Sequence, residues 1–212
     1  MGMKISSLLF RVSLAAVLAT GCVSMTSCGT TRTANKNGTS DTFDPPALRP
    51  RNPAAVVVKV STGAQRVYVV ENGRVLLATP CSVGTGGTTG RGNYRINYKN
   101  ATKRRISQPD AGYPMPYWQE WKSAYGMHWG FVKPYPCTHG CIRLPMKSAG
   151  KIFAMTRVGT PLLIQPSHPE DATVGRTLPI LDDGPLPNPP KPYLLSAKFF
   201  QDAQYKGNMF AD

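Results

Sequence analysis

Two histidines and two cysteines fall within fourteen positions of this chain, in the stretch His128 to Arg143, HWGFVKPYPCTHGCIR. Pro134, Pro136, Gly130 and Gly140 interrupt it, so its backbone must turn sharply and cannot run as one long helix. A thiol near imidazoles suits thiolate chemistry. Free cysteine titrates at about pH 8.5, and a neighbouring imidazole can take its proton or stabilise the anion nearer neutrality. Cys137 follows Pro136, which restricts Tyr135 to extended backbone. Cys141 follows Gly140, whose freedom permits a tight turn that exposes a thiol and gathers N–H groups at one point. The turn chemistry therefore favours Cys141 as the reactive thiol. His128, Cys137, His139 and Cys141 are also the donor types of a Cys2His2 metal site, although Cys137-x-His139-x-Cys141 is not the usual ligand spacing.

Short strands surround this stretch. Ala55 to Val60 is apolar and β-branched, and Gln65 to Glu71 alternates. Asn72-Gly73 is a two-residue hairpin signal, because both residue types tolerate positive φ. Arg74 to Val83 gives a further strand, and Gly84 to Gly90 follows as a Gly/Thr loop. That loop lacks the GK[ST] ending of a phosphate cradle and is expected to join antiparallel strands. Asn93 to Tyr98 places Tyr94, Ile96 and Tyr98 on one face. Tyr117, Trp118 and Trp121 either cap the core or line a groove. Met146 to Met155 spaces Met146, Ala149 and Phe153 along one face of a short helix, and Leu162-Leu163-Ile164 forms a closing strand. Several short strands with one short helix predict an all-β fold, a sandwich or barrel, over residues 54–166.

The ends read differently. Lys4 and Arg11, the apolar run Val12 to Ala19, and the small residues Thr20-Gly21 describe a secretory signal over residues 1–21, too short to cross a bilayer as a helix. Leu18-Ala19-Thr20-Gly21-Cys22 resembles a bacterial lipobox, which makes Cys22 a lipidation site; the alternative is a cleaved signal with an incidental cysteine. Residues 22–53 are Ser/Thr/Asn/Gly-rich, then broken by Asp44-Pro45-Pro46, and read as a flexible tether. Residues 167–212 form a Pro-rich extension in which Leu194, Leu195, Phe199 and Phe200 could dock as a helix. With 25 Lys+Arg against 11 Asp+Glu, the chain favours polyanionic surroundings. Lys103-Arg104-Arg105 is the densest basic cluster and reads as a solvated loop. No basic run with interleaved aromatics points to nucleic acid.

Thr138-His139-Gly140-Cys141-Ile142-Arg143, with His128 upstream, resembles the (S/T)HGC(I/V)R signature of the L,D-transpeptidase (YkuD-type) catalytic domain. The YVVENG hairpin and the Gly/Thr loop ahead of Tyr94 match it too, and the resemblance spans roughly residues 54–166. It implies a β-sandwich-like fold and no cofactor. It makes Cys141 the nucleophile, His128 its base and the Trp129 carbonyl the group that orients the imidazole. Backbone N–H groups at Gly140-Cys141 would hold the oxyanion. His139, Thr138, Tyr117 and Trp118 would shape the substrate pocket, and Arg143 would pair with a substrate carboxylate. Trp129 stands where the family commonly has a small residue, which implies a pocket of altered shape.

The implied substrate is a peptidoglycan stem peptide: Cys141 takes its acyl group, releases D-alanine, and passes the acyl group to an amine of another stem or of a wall-anchored protein. Water as acceptor would make the same acyl-enzyme an L,D-carboxypeptidase. A Cys2His2 metal protein and a non-catalytic wall-binding lipoprotein are the readings from other classes. The implied location is the periplasmic side of the cell envelope, with a lipid anchor in the membrane. Cys81, just before the Gly/Thr loop, and Cys137 form either a bridge or two buried, inert thiols. Detergent partitioning of the full chain should place wild type in the detergent phase and Cys22→Ser in the aqueous phase; aqueous partitioning of both removes the lipid anchor.

Overall fold

The computed structural model describes residues 38–184 and 187–211. The signal segment with Cys22, and the tether as far as residue 37, lie outside the described residues. Val56, Val58 and Val60 point inward from β1 (Val56–Ser61) while Val57 and Lys59 point out, the period-two burial that an alternating strand produces. β2 (Arg66–Glu71) and β3 (Arg74–Pro80) follow as a hairpin turned by Asn72 and Gly73, both at positive φ (48° and 82°). β4 (Gly92–Arg95), β5 (Tyr98–Arg104), β6 (Pro114–Lys122), β7 (Tyr125–Trp129), β8 (Ile142–Leu144) and β9 (Pro161–Gln165) complete the strands. Helix α1 (Met146–Met155) lies between β8 and β9, and α2 (Lys191–Leu195) and α3 (Ala197–Asp202) lie in the C-terminal extension.

The strands form a five-stranded sheet, β3-β2-β1-β9-β4, and a four-stranded sheet, β5-β6-β7-β8. The first and last strands, β1 and β9, pair in parallel at the centre of the larger sheet, with Val58 beside Leu162 and Val60 beside Ile164. The Gly/Thr loop joins two strands of opposite direction, β3 and β4, as expected, but they do not pair with each other. β3 and β4 occupy opposite edges of one sheet, so the loop belongs to a connection that carries the chain across it. Among the described residues no helix is long and apolar enough to cross a membrane.

Val58, Val60, Val67, Val69, Leu162 and Ile164 from the larger sheet meet Trp121, Met127, Ile142 and Leu144 from the smaller one in a single buried cluster. Each such side chain contributes about 1.5–3 kcal/mol when fully withdrawn from water. Helix α1 adds Ala149, Ile152 and Met155 to that cluster; Met146 packs at its margin, and Phe153 is half-buried against Tyr117. The outer face of the larger sheet is covered as well. Tyr68, Val70 and Ala78 pack against Val174 and Leu178, and the Tyr68 hydroxyl donates to Asp171 at 2.6 Å.

Residues 38–53 are not a free tether. Ala47 is buried, the Leu48 N–H donates to the Leu76 carbonyl, and Ser40 donates to Asp183. The buried ammonium of Lys151 holds the prolyl stretch, donating to Asp44 Oδ1 at 2.6 Å and to the Pro45 carbonyl at 2.7 Å. A buried charge of this kind needs its partner. Asp44→Ala should therefore cost about 2 kcal/mol of stability in urea unfolding and open residues 38–53 to limited proteolysis. An unchanged midpoint and digestion pattern would show that the pair does not hold this segment.

Candidate active site

β7 and β8 run parallel with Met127 beside Ile142, His128 beside Arg143 and Trp129 beside Leu144. Alternation sends Met127, Ile142 and Leu144 into the core and leaves His128 and Arg143 side by side on the opposite face. That face forms the wall of a cavity of about 560 Å3. The segment from 130 to 141 leaves β7 and returns to β8, and the Gly/Thr loop fixes it. Cys137 and Thr138 N–H groups donate to the Val83 carbonyl, and the Thr85 N–H donates to the Thr138 carbonyl.

Gly140 makes the turn into Cys141 at φ 137°. A Cβ there would collide with the Tyr125 ring, so glycine is required by conformation and by space. The Thr138 hydroxyl closes the turn, accepting from the Gly140 N–H at 3.0 Å and donating to the Cys141 carbonyl at 2.6 Å. Cys141 is half-buried and opens on the cavity with its sulfur 3.9 Å from the Ala124 carbonyl.

His128 is buried, and its Nδ1 donates to the Trp129 carbonyl. With the proton on Nδ1, Nε2 is the basic nitrogen. The Trp118 ring stacks on the imidazole at 5.4 Å between centroids and 29° between planes. Gly126 leaves room for that indole, since a Cβ at 126 would collide with it.

Burial lowers the His128 pKa to about 4, against the Trp129 bond and with help from the Arg143 and Arg105 charges. Burial raises the Cys141 pKa, opposed by the Gly126 backbone, Arg143 and Arg105. Near neutrality the pair is thus a thiol and a neutral imidazole, not a thiolate and an imidazolium. Among the described residues no carboxylate forms an ion pair with Arg143, whose charge faces the cavity.

The structure brings Cys141, His128, His139, Thr138, Arg143 and Trp118 to one cavity. Three expected residues have other roles in it. Tyr117 breaks the regular strand at φ 61° and faces away from the cavity: its ring packs on Phe153 and its hydroxyl donates to the Ala203 carbonyl at 2.8 Å. The Trp129 indole is likewise outside the cavity, against Phe131 and Phe199, so it does not narrow the pocket. The Gly140 N–H is engaged by the Thr138 hydroxyl, so it is not available as an oxyanion donor.

The sequence reading missed one wall. Lys103, Arg104, Arg105, Ile106, Tyr113 and Met115, from β5, β6 and the loop between them, line the cavity, so the basic cluster is not a merely solvated loop. Cys81 and Cys137 are free thiols, and burial pushes Cys81 up to about 12, which makes it inert. Among the described residues no group of three or more His, Cys, Asp or Glu is arranged to hold a metal ion.

The depressed His128 pKa has a definite sign. Below about pH 6.5 the unfolded chain takes up a proton that the folded chain refuses until about pH 4. Folding stability from this group is complete above pH 6.5 and falls by up to about 3 kcal/mol as pH drops to 4. The difference in urea midpoints between wild type and His128→Gln, followed from pH 7 to 4, should carry that slope. Parallel curves would contradict it.

The family model described as the L,D-transpeptidase catalytic domain, YkuD, matches residues 55–164, just over half of the chain. Solved structures with a similar fold include an L,D-transpeptidase from Stackebrandtia nassauensis (23% identity, 58% of this chain and 60% of that one, TM-score 0.48). Others are an L,D-transpeptidase from Xylanimonas cellulosilytica (22%, 55% and 63%, 0.49) and one from Mycobacterium smegmatis (22%, 53% and 59%, 0.46). The chain spans about three fifths of the length of these solved chains. No curated protein is a significant match. The matched residues contain every strand of both sheets except the last residue of β9, together with the cavity and its Thr138-His139-Gly140-Cys141-Ile142-Arg143 turn, and the chain belongs to the L,D-transpeptidase (YkuD) catalytic domain family.

Proposed function

We propose that the chain is a peptidoglycan L,D-transpeptidase with Cys141 as nucleophile and His128 as general base. The observation that carries this reading is the His128 Nδ1 bond to the Trp129 carbonyl, which leaves Nε2 basic in the cavity that His128 shares with Cys141. The thiol rests neutral, so its proton passes to Nε2 as sulfur attacks the carbonyl of the third stem residue. The Cys141 N–H serves the oxyanion, with Thr138 holding the turn that aims it. The imidazolium then protonates the departing D-alanine nitrogen, and a thioester remains. In the second half, Nε2 takes a proton from the acceptor amine as that amine attacks the thioester, and the thiol is regenerated. Arg143, with no carboxylate partner among the described residues, pairs with a carboxylate of the stem. Trp118 does not touch the reacting atoms in this scheme; it keeps the imidazole plane in place by stacking.

The surroundings fit this substrate. A formal charge of +14 favours a polyanionic wall, and lipidation at Cys22 would keep the domain at the membrane on the periplasmic side. Incubation with a disaccharide-tetrapeptide should give a cross-linked dimer by mass. Tripeptide without dimer would assign a carboxypeptidase instead. A carbapenem should add covalently to Cys141; Cys141→Ala should abolish adduct and turnover, while Cys137→Ser should leave both intact. His128→Ala should slow acylation by about a hundredfold or more. An adduct on Cys137, or turnover by Cys141→Ala, would overturn the assignment.

A further inference from the structure

Residues 191–203 lie outside the matched domain, yet they touch both walls of the cavity from behind. We propose that this C-terminal segment is a positioning element of the active site, holding Trp129 and Arg104 so that His128 and the β5–β6 loop keep their places. The proposal rests on the reading of His128 as the base.

The first hold is aromatic. Trp129 supplies the carbonyl that fixes the His128 tautomer, while its indole sits between Phe199, 5.0 Å away between centroids, and Tyr113, stacked at 6.3 Å and 10°. Phe199 is buried in the same cluster as Leu194. A strand residue whose side chain is clamped has little freedom to turn its peptide plane, and that plane carries the carbonyl. Tyr113 itself lines the cavity, so the stack ties the tail to the cavity wall through one ring.

The second hold is polar. Arg104 lines the cavity and donates to three carbonyls: Gly112 at 2.7 Å, Leu194 at 3.0 Å and Ser196 at 2.9 Å. Its guanidinium also lies 4.6 Å over the Phe200 ring. Gly112 belongs to the loop from 105 to 113; Leu194 and Ser196 belong to the tail. The planar fork of arginine can bridge such a set, and a lysine ammonium cannot reproduce it. Gly112 is also pressed by the tail, because a Cβ there would come within 2.8 Å of Leu195 Cδ2. A segment that merely covered an apolar face would have no need to supply carbonyls to a cationic residue of the cavity wall.

The test uses the full chain. Phe199→Ala should slow carbapenem acylation of Cys141 about tenfold and move the NMR titration of the His128 ring upward, towards that of an exposed imidazole. Phe199→Leu, which restores apolar bulk, should recover most of the rate. Tyr68→Phe, which removes the bond to Asp171 on the far face of the larger sheet, should lower the melting temperature and leave rate and titration unchanged. A Phe199→Ala protein that melts lower but keeps the wild-type rate and His128 titration overturns the proposal. If Phe199→Ala does not fold, Arg104→Lys decides: acylation slowed several-fold supports the brace, and an unchanged rate overturns it. If wild type itself is not acylated, the transpeptidase reading falls, while the His128 titration in Phe199→Ala still decides whether the tail positions that ring.

Discussion

The hydrogen bond from His128 Nδ1 to the carbonyl of its own chain neighbour, Trp129, ties this protein's chemistry to its packing. Strand alternation sends the two side chains to opposite faces, so one peptide unit belongs at once to the cavity and to the apolar body behind it. Around that unit the constraints are mutual. Trp118 stacks on the imidazole in room left by Gly126, and the parallel pairing of β7 with β8 puts Arg143 alongside. The Thr138 hydroxyl and the φ of Gly140 then aim Cys141 into the same space. None of these contacts is strong alone. Their geometry leaves one tautomer of the His128 ring.

The electrostatics of the site follow from burial more than from any partner. Among the described residues no carboxylate bonds the His128 ring; a carbonyl, which is a neutral dipole, orients it instead. A carboxylate would stabilise the imidazolium, whereas a carbonyl in a dry site with two arginines nearby leaves the imidazole neutral. The same burial keeps the thiol protonated. A thiol kept protonated is less open to oxidation than a thiolate would be.

What could be read from the sequence was whatever is local. The period-two burial of β1 and the Asn72-Gly73 turn are written within a few residues, and so is the Thr138-to-Arg143 turn. What escaped depends on partners far along the chain. Asp44 and Lys151 are 107 positions apart, so composition alone made residues 38–53 look unsupported. The places of β3 and β4 at opposite edges follow from β9 pairing with β1, which no pattern near the Gly/Thr loop announces. Tyr117 and Trp118 are instructive because β6 is irregular there: Tyr117 sits at φ 61°, so the period-two pattern does not place Met115 and Trp118 on the one face they share at the cavity. The tail's role was hidden because its aromatic residues name no partner until Trp129 and Arg104 are seen beneath them.

The parallel pairing of β1 with β9 also bears on how the domain is made. A chain synthesised from its N-terminal end delivers β1 about a hundred residues before the strand that must lie beside it. Until then the central strand of the larger sheet has one open edge, lined by Val58 and Val60, and hydrogen bonds only to β2. Such a high contact order slows closure, because a long loop must be ordered before its contacts form. The Thr138-to-Arg143 turn precedes β9 in the chain, and the Gly/Thr loop that pins it leads into β4, which pairs with β9. Until β9 arrives that unpaired apolar edge stays open, and a chain caught in that interval is prone to aggregate.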